Sequence, residues 1–366
     1  METTRQEKTK VCFVVRNLTH GGVYRYVKNL LLALDKINAD NFEFYLIHND
    51  DRIKGAFSNI SELYVPTKNR ASFDYIFSLR LLLKNKFDTV VYLKNVIPIT
   101  HFFLNGRKIN LVYDLGYFEK GLKAYPLTDT LFMRIFMKTS CNLADSILTI
   151  SNSTKEDVHK KFNIKRTKIG VIWGGVENNF KALENENYLE DVRMKFNLSR
   201  PFLFYSGSLS PRKNVDRMLK AFELVRGKIP HDLVMSGFKT LPEKLLRMFS
   251  KDRVKVLGYV REEELVALYN MADVYLYASL YEGFGLPIIE AQSCGCPVIT
   301  SGITSMPEVA GDGAVIVDPK NVHQIAASML RIIEDEDFRS ALISKGFKNA
   351  KKFSWEKCAQ ALVGAI

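Results

Sequence analysis

The sequence predicts an α/β protein of two domains, each a parallel sheet built from repeating strand–helix units. The chain has 366 residues, more than one hydrophobic core usually serves, so two domains of roughly 150 to 200 residues are expected. Short apolar runs alternate with longer stretches whose apolar residues recur at three and four, the pattern of βαβ units. That grammar starts twice, at Val11 and again at Phe202, with the polar segment Glu177–Glu190 between as the expected boundary.

In the first half, Val11–Val15 reads as a buried strand. Gly21 and Gly22 follow it, and then a helical face through Val23, Tyr26, Val27, Leu30, Leu31, Leu34 and Ile37. The turn falls at the carboxyl end of a strand, where open α/β sheets bind ligands. It lacks G-x-G-x-x-G, so it is not a dinucleotide fingerprint; close approach to a ligand and a merely tight turn are both open. Strands are expected at Phe42–Ile47, Thr89–Leu93, Ile109–Tyr113, Ile147–Ile150 and Lys168–Trp173, with helical stretches around Tyr75–Leu83 and Thr130–Ala144. Ser151–Ser153 caps a further helix.

The second half opens with strand Phe202–Tyr205, the turn Ser206–Gly207–Ser208 and a helix over Asn214–Val225. Arg212 and Lys213 stand at the helix start, where cations oppose the dipole. A bound phosphate resolves that conflict, since an Arg fork and a Lys charge are the side chains that hold one; a solvated basic turn is the plainer alternative. Strands Asp232–Met235, Val254–Leu257, Val274–Ala278 and Val298–Thr300 follow, with helices at Glu262–Asn270, Val322–Ile333 and Trp355–Val363.

Leu280–Cys296, LYEGFGLPIIEAQSCGC, carries two carboxylates, Glu282 and Glu290, eight positions apart. Pro287 suits the first turn of a helix, placing Glu282 in the preceding loop and Glu290 one turn inside. Free N–H groups of the helix start and the Gly-containing loop suit an anionic or oxygen-rich ligand, and the carboxylates suit its hydroxyls. A phosphorylated sugar has both features. Alternatively, Glu290 is only a favourable acid near a helix N-terminus.

Composition excludes several classes. Hydrophobic residues at 47% and charged residues at 25% describe a folded globular chain. No run of 18 apolar residues is present, and METTRQEKTK lacks the apolar core of a signal peptide, so a cytoplasmic protein is expected. Cys12, Cys141, Cys294, Cys296 and Cys358 are odd in number and scattered, which points to free thiols in a reducing compartment rather than a disulfide or metal framework. The net charge of +12 is concentrated: residues 1–180 hold 27 Lys+Arg against 17 Asp+Glu, a balance of +10. Such a domain suits an anionic membrane surface, a nucleic acid, phosphate-bearing substrates or plain solvation. No basic tract interleaved with aromatics is present, so no nucleic acid is expected.

SGSLSPRKNVDRMLKAF (Ser206–Phe222) and YEGFGLPIIEAQSCGCPVIT (Tyr281–Thr300), taken together, resemble the core of the large retaining glycosyltransferase family 4, which includes many bacterial O-antigen and polysaccharide mannosyltransferases. Glu282 and Glu290 match its E-x7-E element. Gly258–Tyr259, Met306–Val309 and Val317–Pro319 are further matches. The resemblance spans the chain and is specific in its second half. It implies the GT-B architecture, two Rossmann-like domains with parallel sheets facing across a deep cleft. Residues 1–175 would form the acceptor-side domain, 176–349 the nucleotide-sugar side, and 350–366 a last helix crossing back.

By position, the resemblance implies that Arg212 and Lys213 bind the donor diphosphate and stabilise the leaving group, while Glu282 meets the transferred hexose and Glu290 the ribose. Gly283, Phe284, Gly285 and Leu286 would lie against sugar and phosphate. Gly207 would let its loop approach the donor, with Gly21 and Gly22 beside the diphosphate and the base near Tyr259 and Leu265. The donor would be a nucleotide-sugar, GDP-mannose first and a UDP-sugar next, used without metal or other cofactor. With both carboxylates committed to the donor, a front-face route follows, in which the leaving phosphate helps deprotonate the acceptor.

One position departs from the family. Many members carry His-Asp at the end of the fourth N-terminal strand, and the match here is Tyr113–Asp114. Tyrosine is a poor base near neutral pH. Three readings stand: Tyr113 substitutes in binding, His101 or His20 serves, or activity is altered. The implied acceptor is a glycan, with a polyprenyl-diphosphate-linked one suiting the basic first half and a peripheral place at the inner face of the cell membrane. The stripes Leu79–Leu83 and Leu131–Met137 are expected to face the core rather than a membrane. The rival readings are a UDP-sugar 2-epimerase and a sugar-binding scaffold subunit.

Overall fold

The structure is a computed structural model that describes residues 7–366 apart from 17, 19, 20, 38, 120, 123, 124, 239, 241 and 243–251. The apolar runs form strands because both faces of a parallel sheet are covered, so no polar alternation is needed. In the first domain these are β1 (Thr9–Val14), β2 (Phe42–His48), β3 (Ile60–Tyr64), β4 (Thr89–Tyr92), β5 (Arg107–Val112), β6 (Ser146–Thr149) and β7 (Ile169–Val171). Their order is β3-β2-β1-β4-β5-β6-β7, parallel throughout, with Val11 in register with Phe44 on one side and Thr89 on the other. In the second domain, β8 (Phe202–Ser206), β9 (Asp232–Ser236), β10 (Val254–Val256), β11 (Val274–Tyr277), β12 (Val298–Ser301) and β13 (Ala314–Val317) follow the order β10-β9-β8-β11-β12-β13, also parallel.

Each order reverses beside its first strand, between β1 and β4 and between β8 and β11. These reversals are the switch points at which doubly wound sheets take their ligands. The covering helices show why their faces are apolar. Tyr26, Val27, Leu30, Leu31 and Leu34 of Gly22–Asp35 are buried, as are Met218, Leu219 and Phe222 of Val215–Val225.

One unit gathers the chain up to Glu119, Tyr125–Gly175 and Trp355–Ile366, and the other holds Val176–Ser354. The terminal helix Trp355–Ala365 packs on Gly22–Asp35 of the first unit: Trp355 meets Tyr26 edge-on at 5.1 Å, and the Tyr26 hydroxyl, 3.3 Å from Cys358 Sγ, donates to the Ile172 carbonyl at 2.6 Å.

Several elements differ from their sequence expectation. Within the polar segment read as a boundary, Glu186–Lys195 is a helix capped by Asn185 and burying only Val192, so it carries no apolar period to read. The stretch expected as one helix around Tyr75–Leu83 is Arg70–Ser72, a π turn over Phe73–Phe77, and Ser78–Asn85. Its stripe is not wholly turned to the core, because Tyr75, Ile76, Phe77 and Leu83 are exposed. The same holds for helix Leu127–Leu143: Met137 is buried, but Leu131 and Ile135 are 60% and 53% exposed. Among the described residues no helix is long and apolar enough to cross a membrane.

Candidate active site

In the second domain, β8 and β11 leave the sheet side by side, and their following loops bring three sequence-predicted residues together. Ser210 and Pro211 open a single 3-10 turn, Pro211–Lys213, so Arg212 and Lys213 precede the helix rather than lie in it. Asn214 ends the turn in a left-handed conformation, φ +59°, and its amide donates to the Ala278 and Pro319 carbonyls at 2.8 and 2.7 Å. The turn is thereby fastened to the end of β11.

Arg212 Nη1 donates to Glu282 Oε2 at 2.6 Å, and Lys213 Nζ lies 2.8 Å from Oε1. Lys213 also donates to the Tyr277 hydroxyl at 3.0 Å. Glu282 is only 7% exposed. Burial pushes its carboxyl up, but Lys213 and Arg212 outweigh that and hold it at about 2. Two cations thus face one ionised carboxylate.

The Glu282 loop is held from below. Ser305 Oγ lies 2.7 Å from the Phe284 carbonyl and 3.0 Å from that of Glu282, and Thr304 accepts from the Glu282 N–H at 3.3 Å. Gly283, Phe284 and Gly285 are buried, and Gly285, φ +115°, turns the chain into helix Leu286–Ser293 with Pro287 in its first turn. Leu286 is buried at the start of that helix.

Glu290 is 2% exposed on the same helix and joins a tyrosine network. Tyr269 OH stands 3.5 Å from its Oε2, and Ser206 Oγ lies within 3.1 Å of both the Tyr269 and Tyr275 hydroxyls. Beside Ser206, the ends of β8, β9 and β10 carry Gly207, Gly237 and Gly258. Gly237 requires glycine: φ is +98°, and a Cβ would come within 2.5 Å of the Gly207 carbonyl oxygen. Tyr259, next to Gly258, is 76% exposed, while Leu265 is half-buried on helix Glu262–Met271.

The other predicted residues lie in the first domain. Gly21, φ +116°, caps helix Gly22–Asp35, and space beside both glycines is open. Tyr113 is 3% exposed, with its hydroxyl donating to the Leu93 carbonyl at 2.9 Å and its N–H to Asn95 at 2.8 Å. It is a core strut between strand ends. Asp114 accepts from the Gly116 N–H at 2.8 Å. His101 is fully buried, its Nε2 2.9 Å from the Asp74 carbonyl and its Nδ1 3.2 Å from the Tyr92 hydroxyl. Burial lowers it to about 4, so it is neutral at pH 7 and shut away from substrate. His20 lies outside the described residues. All five cysteines are free and buried, and burial raises the thiols of Cys141 and Cys358 to about 12, too high for nucleophilic use.

Sequence reasoning missed Tyr269, Tyr275, Tyr277, Ser206 and Ser305. A signal existed at β11, VYLY, where tyrosines two apart share one face of a buried strand.

Both halves of the chain match known family models. The family model Glycosyltransferase Family 4 matches residues 20–180, and Glycosyl transferases group 1 matches 190–349. The chain is 31% identical over 267 residues to O-antigen chain mannosyltransferase B of Escherichia coli, covering 71% of this chain and 70% of that protein. It is 28% identical to O-antigen chain mannosyltransferase RfbU of Salmonella typhimurium, covering 85% and 89%. It also matches the serotype-specific mannosyltransferase WbdA of Escherichia coli at 29% identity, spanning 28% of that longer protein. In fold, it superposes on a glycosyltransferase of Rickettsia africae with a TM-score of 0.77 at 15% identity, covering 98% of this chain and 97% of that one. Anabaena HepE, solved with UDP and glucose, gives 0.75 at 16% identity, covering 98% and 99%. With two Rossmann-like domains and both family segments in order, this chain belongs to the GT-B glycosyltransferases of family 4, related to bacterial O-antigen and polysaccharide mannosyltransferases, and moves a sugar from a nucleotide-sugar donor to an acceptor.

Proposed function

We propose that this chain is a retaining hexosyltransferase that moves mannose from GDP-mannose to an acceptor hydroxyl in bacterial surface-glycan synthesis, with no metal. The observation that carries the reading is the Arg212–Lys213–Glu282 group. Departure of the nucleoside diphosphate builds negative charge on its phosphate oxygens. Two cations fixed by Glu282 and by the strand ends meet that charge with little rearrangement, so they favour the transition state over the ground state. Glu282 then holds a hydroxyl of the transferred hexose, and Glu290 the ribose. Gly207 and Gly283–Leu286 admit the donor, and Tyr259 and Leu265 flank the base. The acceptor is deprotonated by the leaving phosphate in a front-face step. Tyr113 supports Asp114 from the core, since its own hydroxyl is engaged by Leu93.

Mannose is favoured by the curated relatives, which are named mannosyltransferases. A UDP-sugar is the second reading, because HepE, of the same fold, binds UDP-glucose. The setting we infer is the cytoplasm, with peripheral contact at the inner membrane face. Leu127, Leu131 and Ile135 form an exposed row on one helix, with exposed Arg134 and Lys138 beside it. Apolar and basic residues together suit an anionic lipid surface and a lipid-linked acceptor.

A thermal-shift screen against GDP, UDP, ADP and their sugar conjugates, with and without Mg²⁺, tests the proposal. Selective metal-free stabilisation by GDP-mannose, absent in Lys213→Ala, is expected. No shift by any nucleotide would refute the donor site and leave the scaffold reading.

A further inference from the structure

Two anchors hold Lys213 Nζ, and the proposed reaction gives a task to only one of them. The first is Glu282, which that reaction commits to the transferred hexose. The second is the Tyr277 hydroxyl, to which Nζ donates at 3.0 Å, with the ring centroid 4.8 Å from the ammonium. Tyr277 closes β11 and is 1% exposed, and Lys213 is 8% exposed, so this contact lies out of water.

The anchors differ in stiffness and in charge. Glu282 comes from a loop, whereas Tyr277 is set by the sheet: its carbonyl accepts from Thr300 Oγ1 at 3.1 Å, its ring stacks on Tyr275 at 6.0 Å, and a Cβ on Gly285 would stand 3.7 Å from its Cε1. Burial and the Glu282 charge push the phenol well above its ordinary value, so this partner stays a neutral hydroxyl. A second carboxylate in that place would offset the ammonium charge; a hydroxyl holds the ammonium and leaves its charge whole. Lysine needs such a partner, because its four-carbon stem is flexible and its head is a point charge without a fork. The stem ends beside the turn after β8, with Cε 3.9 Å from where a Gly207 Cβ would stand. Tyr275, two residues earlier on the same face of β11, braces that turn through Ser206 Oγ at 3.0 Å. One buried strand therefore sets both the turn and the cation beside it.

We propose that Tyr277 is a positioning residue for sugar transfer: its buried hydroxyl fixes the Lys213 ammonium beside the Gly207 turn, so that the cation keeps its place and its charge while Glu282 serves the sugar. This rests on reading Lys213 as a cation of the donor diphosphate site. Tyr277 acts through Lys213 rather than on substrate. A cation already in place favours the charge that develops on the leaving phosphate, so loosening it lowers turnover more than donor affinity.

The test uses the full chain with Tyr277→Phe, which keeps the ring and removes the hydroxyl, at temperatures below the melting midpoint of every variant. Trace acetylation by acetic anhydride, read at Lys213 by mass spectrometry with no nucleotide present, is expected to run at least about threefold faster in the variant. An unchanged rate overturns the proposal. GDP release from GDP-mannose and UDP release from UDP-glucose are followed in the same proteins. Tyr277→Phe is expected to lower kcat about tenfold with KM unchanged, and to lower it no further when added to Lys213→Ala. A tyrosine that only supports the fold lowers turnover by the same factor on both backgrounds; that result, or an unaltered kcat in Tyr277→Phe, overturns the proposal. Turnover that Lys213→Ala leaves unchanged refutes the donor reading instead, and the acetylation rate then still decides whether Tyr277 fixes the ammonium.

Discussion

Lys213→Met isolates the electrostatics of the donor-side group. Glu282 is held at about 2 instead of 4.5 although burial alone would raise it, so its two cations outweigh desolvation. At about 1.4 kcal/mol per pKa unit, that depression corresponds to roughly 3 kcal/mol of folding stability. The sign follows from the direction: the contribution is fully present above pH 4.5 and is lost as pH falls towards 2. Lys213 ranks ahead of Arg212 in holding the carboxylate, and Arg212 remains after the change. The expected loss is therefore about 2 kcal/mol, below the cost of stranding a buried charge completely. Adding Glu282→Gln removes the half-paired charge and is expected to restore about 1 kcal/mol while nucleotide binding stays lost. Hydrogen exchange of the β8 and β11 amides is the assay, because Trp173 and Trp355 both belong to the first domain and report nothing of the second. A loss under about 0.5 kcal/mol, or a double variant less stable than the single one, would refute the idea that Lys213 holds Glu282 ionised.

Gly237→Ala forces a Cβ to within 2.5 Å of the Gly207 carbonyl in a positive-φ conformation, so a loss of about 2 kcal/mol and weaker nucleotide stabilisation are expected by thermal shift. His101 titrates near 4 in the folded chain against 6.5 unfolded, so the unfolded state gains the proton first. Stability should be unaffected above pH 6.5 and fall as pH drops towards 4, by up to roughly 3 kcal/mol; an NMR titration placing His101 near 6.5 would contradict this. Leu131→Glu with Ile135→Glu changes two side chains that are 60% and 53% exposed, and should leave stability within about 0.5 kcal/mol. It should sharply reduce sedimentation with anionic vesicles; unchanged sedimentation would remove that helix from the membrane reading. Tyr26→Phe deletes the bond to the Ile172 carbonyl and should cost about 1 kcal/mol in the first domain, read by tryptophan fluorescence.

Much of this was legible in the chain itself. The apolar runs and the helical periods are short-range patterns, and a parallel sheet buried on both faces leaves its strands nearly continuous in apolar residues, so most strands could be placed within a residue or two. β3 and helix Glu186–Lys195 escaped because neither shows a period: one is a short edge strand, and the other buries a single valine. Arg212 and Lys213 stood out by their position before a helix, where a phosphate was expected and where the structure sets the Glu282 carboxylate, and the Glu282 loop stood out by its glycines and Pro287. These are local chemical signals.

Tertiary structure decided what those residues touch. Lys213 meets Tyr277 across 64 residues and Arg212 meets Glu282 across 70, contacts that exist because β8 and β11 are neighbours in the sheet. The same adjacency in the first sheet places Arg16 beside Lys94, 78 residues apart. Whether an aromatic at a strand end faces a ligand or the core is likewise settled by packing: Tyr113 turns inward to Leu93 and Tyr26, while Leu131 and Ile135 of an equally amphipathic stretch remain in solvent. Periodicity tells which side chains share a face, and only the neighbours brought by the fold determine what that face meets.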